Sequence, residues 1–187
     1  YSFYPGKNLG AMGDAGAVTT KNSKLNNQAK CFARHGGLKK HEHLIEGMNS
    51  RMDTIQAKVL NIKLRHIEQY TARRQKIAKY YLDNIKNPHV TLPKTRKGSK
   101  HVYHLFVITV KEREKLIELL KQKKIGFNIN YPKSLPFLEA YKYLKHDENC
   151  FPVAAKIQKE ILSIPLFPEL QENEISYVID VINQFTP

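Results

Sequence analysis

Residues 2–20, SFYPGKNLGAMGDAGAVTT, set one lysine, Lys7, between a Pro5-Gly6 pair and a run of glycines. Pro5 fixes the backbone ahead of the lysine, and the glycines let main chain approach a flat ligand closely. An amine held in such a turn, partly desolvated and with its pKa depressed, can attack an aldehyde or ketone to form a Schiff base. Ser2 lies five residues upstream, where its hydroxyl could serve a phosphate on the same ligand. Two familiar phosphate motifs do not fit. A P-loop needs Gly-x-x-x-x-Gly-Lys followed by Ser or Thr, whereas Asn8 follows Lys7 and Tyr1 stands where the first glycine belongs. Gly10, Gly13 and Gly16 recur every third residue, but without the preceding strand and following helix of a dinucleotide fingerprint. On residue types alone, a solvated loop lysine stands beside the reactive one.

The elements that must position these residues fall into three regions. Residues 1–50 are glycine-rich and polar, with one strand candidate at Ala15–Thr20 and no long periodic segment that could make a core alone. Residues 51–86 read as one long amphipathic helix, with Met52, Ile55, Val59, Ile62, Ile67, Tyr70, Ile77 and Tyr81 at helical spacing. Asn87-Pro88 ends it. From residue 89 the pattern is that of a small α+β unit able to fold as a domain. His101–Val110, HVYHLFVITV, is apolar on both faces, which predicts a central strand. Lys111–Lys124 predicts a helix with Leu116, Ile117, Leu119 and Leu120 inward, closed by Gly126. Phe127–Tyr131 alternates, which puts Asn128 and Asn130 on one face. Two further helices are predicted at about 152–163, with Pro152 in the first turn, and at 172–185, with Ile175, Val178, Ile179 and Ile182 inward.

Composition narrows the classes. The 187 residues, 41% hydrophobic and 26% charged, suit a soluble globular protein with a buried core. No apolar run approaches the roughly 18 to 20 residues of a membrane span, and the start has no basic region or apolar core of a signal peptide. Cys31 and Cys150 are too few for a disulfide framework, so a reducing cytoplasm is the expected compartment. The formal net charge of +14 attracts polyanions. Its lysines and arginines are scattered, however, with short clusters at 94–100 and 121–124 and neither zinc-finger spacing nor an RNA-binding aromatic strand, so nucleic acid is not the expected partner.

The lysine segment closely resembles that of the pyridoxal-phosphate-dependent nucleotide-sugar aminotransferases of the DegT/DnrJ/StrS type. The resemblance continues through GMNSRMDTIQAKVLNIKL at 47–64, HVYHLFVI at 101–108, NYP at 130–132 and FPVAAKIQKEILSIPLFPEL at 151–170, in the family's order. It implies an α/β fold: the C-terminal part of an aspartate-aminotransferase-like, fold type I transferase. Residues 1–50 would complete the large cofactor-binding domain, 51–88 would be a linking helix, and 89–187 a small α+β domain.

The resemblance also implies roles. Lys7 matches the Schiff-base lysine, which also shuttles a proton once freed. Ser2 matches the hydroxyl that binds the cofactor phosphate, and Asn49 an asparagine that reaches the phosphate of the neighbouring subunit, so that a homodimer is expected. Arg51 and Tyr131 lie in motifs near the sugar-nucleotide pocket, and His104 matches a family position, although a histidine within an apolar strand is more often a packed core residue. The implied partners are a nucleotide-linked keto-sugar and glutamate as amino donor, in amino-sugar synthesis for polysaccharide, lipopolysaccharide or a glycosylated product.

Two positions depart from the pattern: Asn130, where many relatives carry histidine, and His41, where tyrosine is common. Family members are about twice this length. Their preceding half brings the aspartate paired with the pyridine nitrogen and the aromatic ring stacked on the cofactor, so this chain reads as the C-terminal half of the enzyme, inactive alone. Apolar faces meant for the absent sheet would favour self-association. The competing reading is a non-catalytic binding or regulatory module that uses the basic surface.

Overall fold

Pairing near the start of the chain is short because Pro5 has no amide hydrogen to donate. In the computed structural model, which describes residues 1–187, the chain forms two compact units, Tyr1–Tyr70 and Thr71–Pro187. In the first, the predicted strand at Ala15–Thr20 is reduced to a single bridge between Ser2 and Gly16. It is flanked by bonds from the Phe3 amide to Ala15 O (2.8 Å) and from the Ala17 amide to Tyr1 O (2.9 Å). Helix α1 (Ser23–Phe32) was not foreseen. It starts where the Asn22 side chain accepts from the Leu25 amide at 3.1 Å, and buries only Cys31.

The single helix predicted over 51–86 is two, α2 (Thr54–Leu64) and α3 (Ile67–Asn84). The chain leaves the α ladder at Arg65 and His66, whose amides reach three residues back to Ile62 O (3.3 Å) and Lys63 O (3.0 Å). Neither proline nor glycine marks the break. The predicted inward face also fails on α2: Leu60 is its buried residue, while Ile55 and Ile62 are 72% and 53% exposed.

The second unit holds the large core. Strand β1 (Phe106–Thr109) pairs antiparallel with a second strand, β2 (Ile161–Ile164), with Phe106 opposite Ile164 and Thr109 opposite Ile161. Single bridges join Thr91 to Thr109 and Asn128 to Ser163. The sheet has only these two strands, so β1 is not the central strand that its doubly apolar pattern predicts, and a second neighbour meets it only at Thr109. It is shorter than predicted because residues 101–105 bend away. Tyr103 takes a positive φ of 45°, and the carbonyls of Tyr103 and His104 accept from the buried Arg74 guanidinium, each at 3.2 Å. Arg74 Nη1 also donates to Leu166 O at 2.9 Å, and burial lowers the guanidinium's pKa despite the nearby Glu169 carboxylate.

Helix α4 (Arg113–Gln122) buries Leu116, Ile117 and Leu120. It is not closed by Gly126. The amides of Ile125 and Lys124 reach Leu120 O (2.9 Å) and Lys121 O (3.0 Å) with Lys124 at φ 56°, a Schellman turn built on lysine. Helix α5 (Pro152–Glu160) ends three residues before the predicted 163, because Ile161–Ile164 joins the sheet and buries Leu162, Ser163 and Ile164. Helix α6 (Glu172–Asn183) opens on a Gln171/Glu174 capping box and buries the four predicted residues, Ile175, Val178, Ile179 and Ile182. Tyr81 of α3, packed against Phe106 with ring centroids 5.1 Å apart, donates its hydroxyl to Pro165 O at 2.8 Å. No helix is long and apolar enough to cross a membrane.

Candidate active site

Lys7 closes a four-residue turn. Its amide donates to Tyr4 O at 2.8 Å with Pro5 and Gly6 at the centre, and the residue is half-buried. The chain then folds back on this turn. The Ala11 amide donates to Phe3 O at 2.7 Å, and Gly10 sits against the turn at φ 43°. A Cβ at Gly10 would lie 2.4 Å from Pro5 O and 2.8 Å from Lys7 O, so only glycine fits this contact. Ser2 Oγ accepts from the Tyr4 amide at 3.4 Å, which leaves its own hydrogen to donate.

Asn49 and Arg51 reach the same unit's surface by a second route. After α1 the chain makes a hairpin in which Arg34 bridges Asn49, the Met48 amide meets Phe32 O (2.8 Å) and the Ser50 amide meets Ala33 O (3.0 Å). Arg51 Nε donates to Asn49 Oδ1 at 2.9 Å, a bond that does not use the Asn49 amide nitrogen. Ser2, Asn49 and Arg51, all exposed, border one cleft of about 910 Å³, with Lys30 and the Asp14 carboxylate also on its wall. Lys7 is not among the lining residues. The Ser2 hydroxyl and the Asn49 amide can each donate to a phosphate, and the Lys7 turn, outside this cleft, offers an amine that suits an aldehyde.

The remaining predicted residues belong to the second unit. Tyr131, 69% exposed, borders a mostly apolar cleft of about 1020 Å³ with Asn130, Leu135, Phe151 and Ile157. Asn130 is held there through its Oδ1, which accepts from the buried Ser163 hydroxyl at 2.9 Å. His104 is half-buried and precedes β1 rather than lying within it. His41 is exposed at φ 67° in the turn between Lys39 and Glu42. Reading the sequence missed Lys63 and Gln56 of α2, which contact the loop behind Lys7. Gln56 lies within the quoted motif, yet no local pattern announces its partner.

Comparison with known proteins gives these residues a context. Residues 1–183 match the DegT/DnrJ/EryC1/StrS aminotransferase family. The chain is 40% identical over 201 residues to a dTDP-3-amino-3,6-dideoxy-alpha-D-galactopyranose transaminase from Aneurinibacillus thermoaerophilus, covering 98% of this chain and 55% of that protein. It superposes on DesV of S. venezuelae, solved in complex with a ketimine intermediate, with a TM-score of 0.94 at 34% identity over 98% of this chain and 50% of that one. NtdA from Bacillus subtilis, solved with bound cofactor PMP, gives 0.83 at 26% identity over 97% of this chain and 44% of that one. The chain spans about half the length of the curated relatives it matches.

Proposed function

The chain belongs to the DegT/DnrJ/EryC1/StrS aminotransferase family, whose cofactor is pyridoxal 5'-phosphate, and from that membership we propose that residues 1–187 form the C-terminal half of an aminotransferase acting on a nucleotide-linked keto-sugar. The observation that carries this reading is the turn that holds Lys7 half-buried against Gly10. When bound, the cofactor supplies an electron sink for the carbanion next to the reacting nitrogen. Lys7 Nζ would hold the cofactor and would serve as base and acid for the proton. Ser2 Oγ would donate to the cofactor phosphate, and Asn49 Nδ2 to that of the neighbouring subunit in a homodimer. Arg51, Tyr131 and His104 serve the nucleotide-sugar side. Glutamate is the amino donor and the cytoplasm the compartment.

The test is to load the protein carrying this chain with pyridoxal phosphate, reduce with borohydride and map the labelled peptide. A stable label on Lys7, lost in Lys7→Ala without loss of folding, supports the reading. Label confined to exposed lysines such as Lys97 sinks it and favours a non-catalytic module.

A further inference from the structure

Within the first unit, α2 grips the loop that backs Lys7. Half-buried Lys63 donates from Nζ to Gly10 O at 2.5 Å. Gln56 Oε1 accepts from the Met12 amide at 2.9 Å, and Gln56 Nε2 lies 3.0 Å from where a Gly13 Cβ would stand. Gln56 and Lys63 are seven residues apart, two helical turns, so they share one face of α2. The glycine loop is therefore held from one helix at Gly10 and again at Met12 and Gly13. Its Gly10 end is the segment whose missing side chain lets it rest on the carbonyls of Pro5 and Lys7.

The choice of lysine has a physical reason. Ordering a long side chain and partly desolvating its ammonium both cost free energy. A charge-assisted bond to a main-chain carbonyl offsets that cost and fixes the carbonyl's position more firmly than a neutral donor would. A displacement of Gly10 toward solvent would remove the backing from the turn that sets the direction of Lys7.

We propose that Lys63, with Gln56 as its second point of hold, is a positioning residue for Lys7, acting through the Gly10 carbonyl. The inference rests on the reading that Lys7 bonds to the cofactor, and its test separates the two. Amide hydrogen exchange is followed at Lys7, Ala11 and Met12 in the wild-type protein, Lys63→Met, Lys63→Arg and Gln56→Leu, with Tyr81 and Leu162 as core references. Borohydride-trapped pyridoxal phosphate on Lys7 is measured relative to exposed Lys97 in the same digest.

Lys63→Met should speed exchange at Lys7 and Ala11 and lower the Lys7 to Lys97 label ratio, each by about tenfold, the worth of one charge-assisted hydrogen bond. Lys63→Arg, which keeps a cationic donor, should recover most of both. Unchanged exchange at Lys7 and Ala11 in a folded Lys63→Met protein overturns the inference. If that variant does not fold, Gln56→Leu decides: faster exchange at Lys7 as well as at Met12 supports the clamp, and an effect confined to Met12 refutes it. Should Lys7 take no label in the wild-type protein, the functional reading fails, and the exchange data still judge the clamp.

Discussion

Replacing Gly10 with alanine loads two separable costs onto the Lys7 turn. An alanine at a φ of 43° costs about 1 to 2 kcal/mol for the left-handed backbone. The added Cβ would stand 2.4 Å from Pro5 O and 2.8 Å from Lys7 O, where ordinary contact begins at 3.4 Å, so these atoms must retreat by about 1.0 and 0.6 Å. Forced overpacking of this kind costs about 1 to 3 kcal/mol more. The retreat moves the backbone that aims Lys7, and a misplacement near 1 Å slows a reaction by about a hundredfold. Gly98 isolates the first cost from the second. It too has a positive φ, 79°, but nothing lies within 4 Å of where its Cβ would be. Gly98→Ala should therefore lower the melting temperature by about 2 to 4 °C for each kcal/mol of backbone strain and leave Lys7 untouched. The assay is the rate of borohydride-trapped pyridoxal phosphate on Lys7, with thermal melts run beside it. Gly10→Ala should label at least about tenfold more slowly than wild type. Wild-type labelling in Gly10→Ala, or equal slowing in both variants, would refute the claim that contact between Gly10 and the turn positions the lysine.

Three further outcomes concern the second unit. Burial, with a smaller contribution from Glu174, raises the Tyr81 hydroxyl well above the ordinary tyrosine range. The stability this group contributes is complete below about pH 10, where a solvated tyrosine ionises, and is lost as pH rises beyond that. Tyr81→Phe should cost about 1 to 2 kcal/mol at pH 7, because Pro165 O loses its donor, and should weaken the alkaline loss seen in denaturant melts of the wild-type protein. Lys124→Gly should stabilise the protein by about 0.5 to 1 kcal/mol, because glycine adopts the φ of 56° at the end of α4 without strain; a lower melting temperature would contradict this. The Asp147 carboxylate is held below its usual range by the amides of Cys150 and Asn149, at 3.0 and 2.9 Å. These bonds persist above about pH 4 and are lost as pH falls through the lower folded value. Amide resonances of Asn149 and Cys150 should stay constant in the wild-type protein until that range, and Asp147→Asn should show the acid-state shifts at neutral pH.

Much of the second unit could be read along the chain because its signals are local. α6 has a capping box and four inward residues at helical spacing, and the run around Leu116 needed only a helix to bury it. The Lys7 turn was equally plain, since Pro5 and Gly6 dictate it from neighbouring residues. Two of the errors share one physical cause. Ile161–Ile164 continues the helical pattern of α5, but pairing with Phe106–Thr109 buries it more fully, and tertiary pairing overrides propensity. The residues around Tyr103 have the composition of a strand, yet Arg74, about thirty positions earlier, takes the carbonyls that would extend it.

For the candidate site, the sequence by itself pointed to the lysine, the turn that carries it, and the motifs that bear Ser2, Asn49 and Arg51. Only the tertiary structure decided that Ser2, Asn49 and Arg51 border one cleft, and that Lys63 reaches the Gly10 carbonyl across 53 residues of chain. Backbone preferences act over a few residues and leave their mark in residue type. A hydrogen bond from a distant lysine to a main-chain carbonyl leaves none, because every residue offers that acceptor.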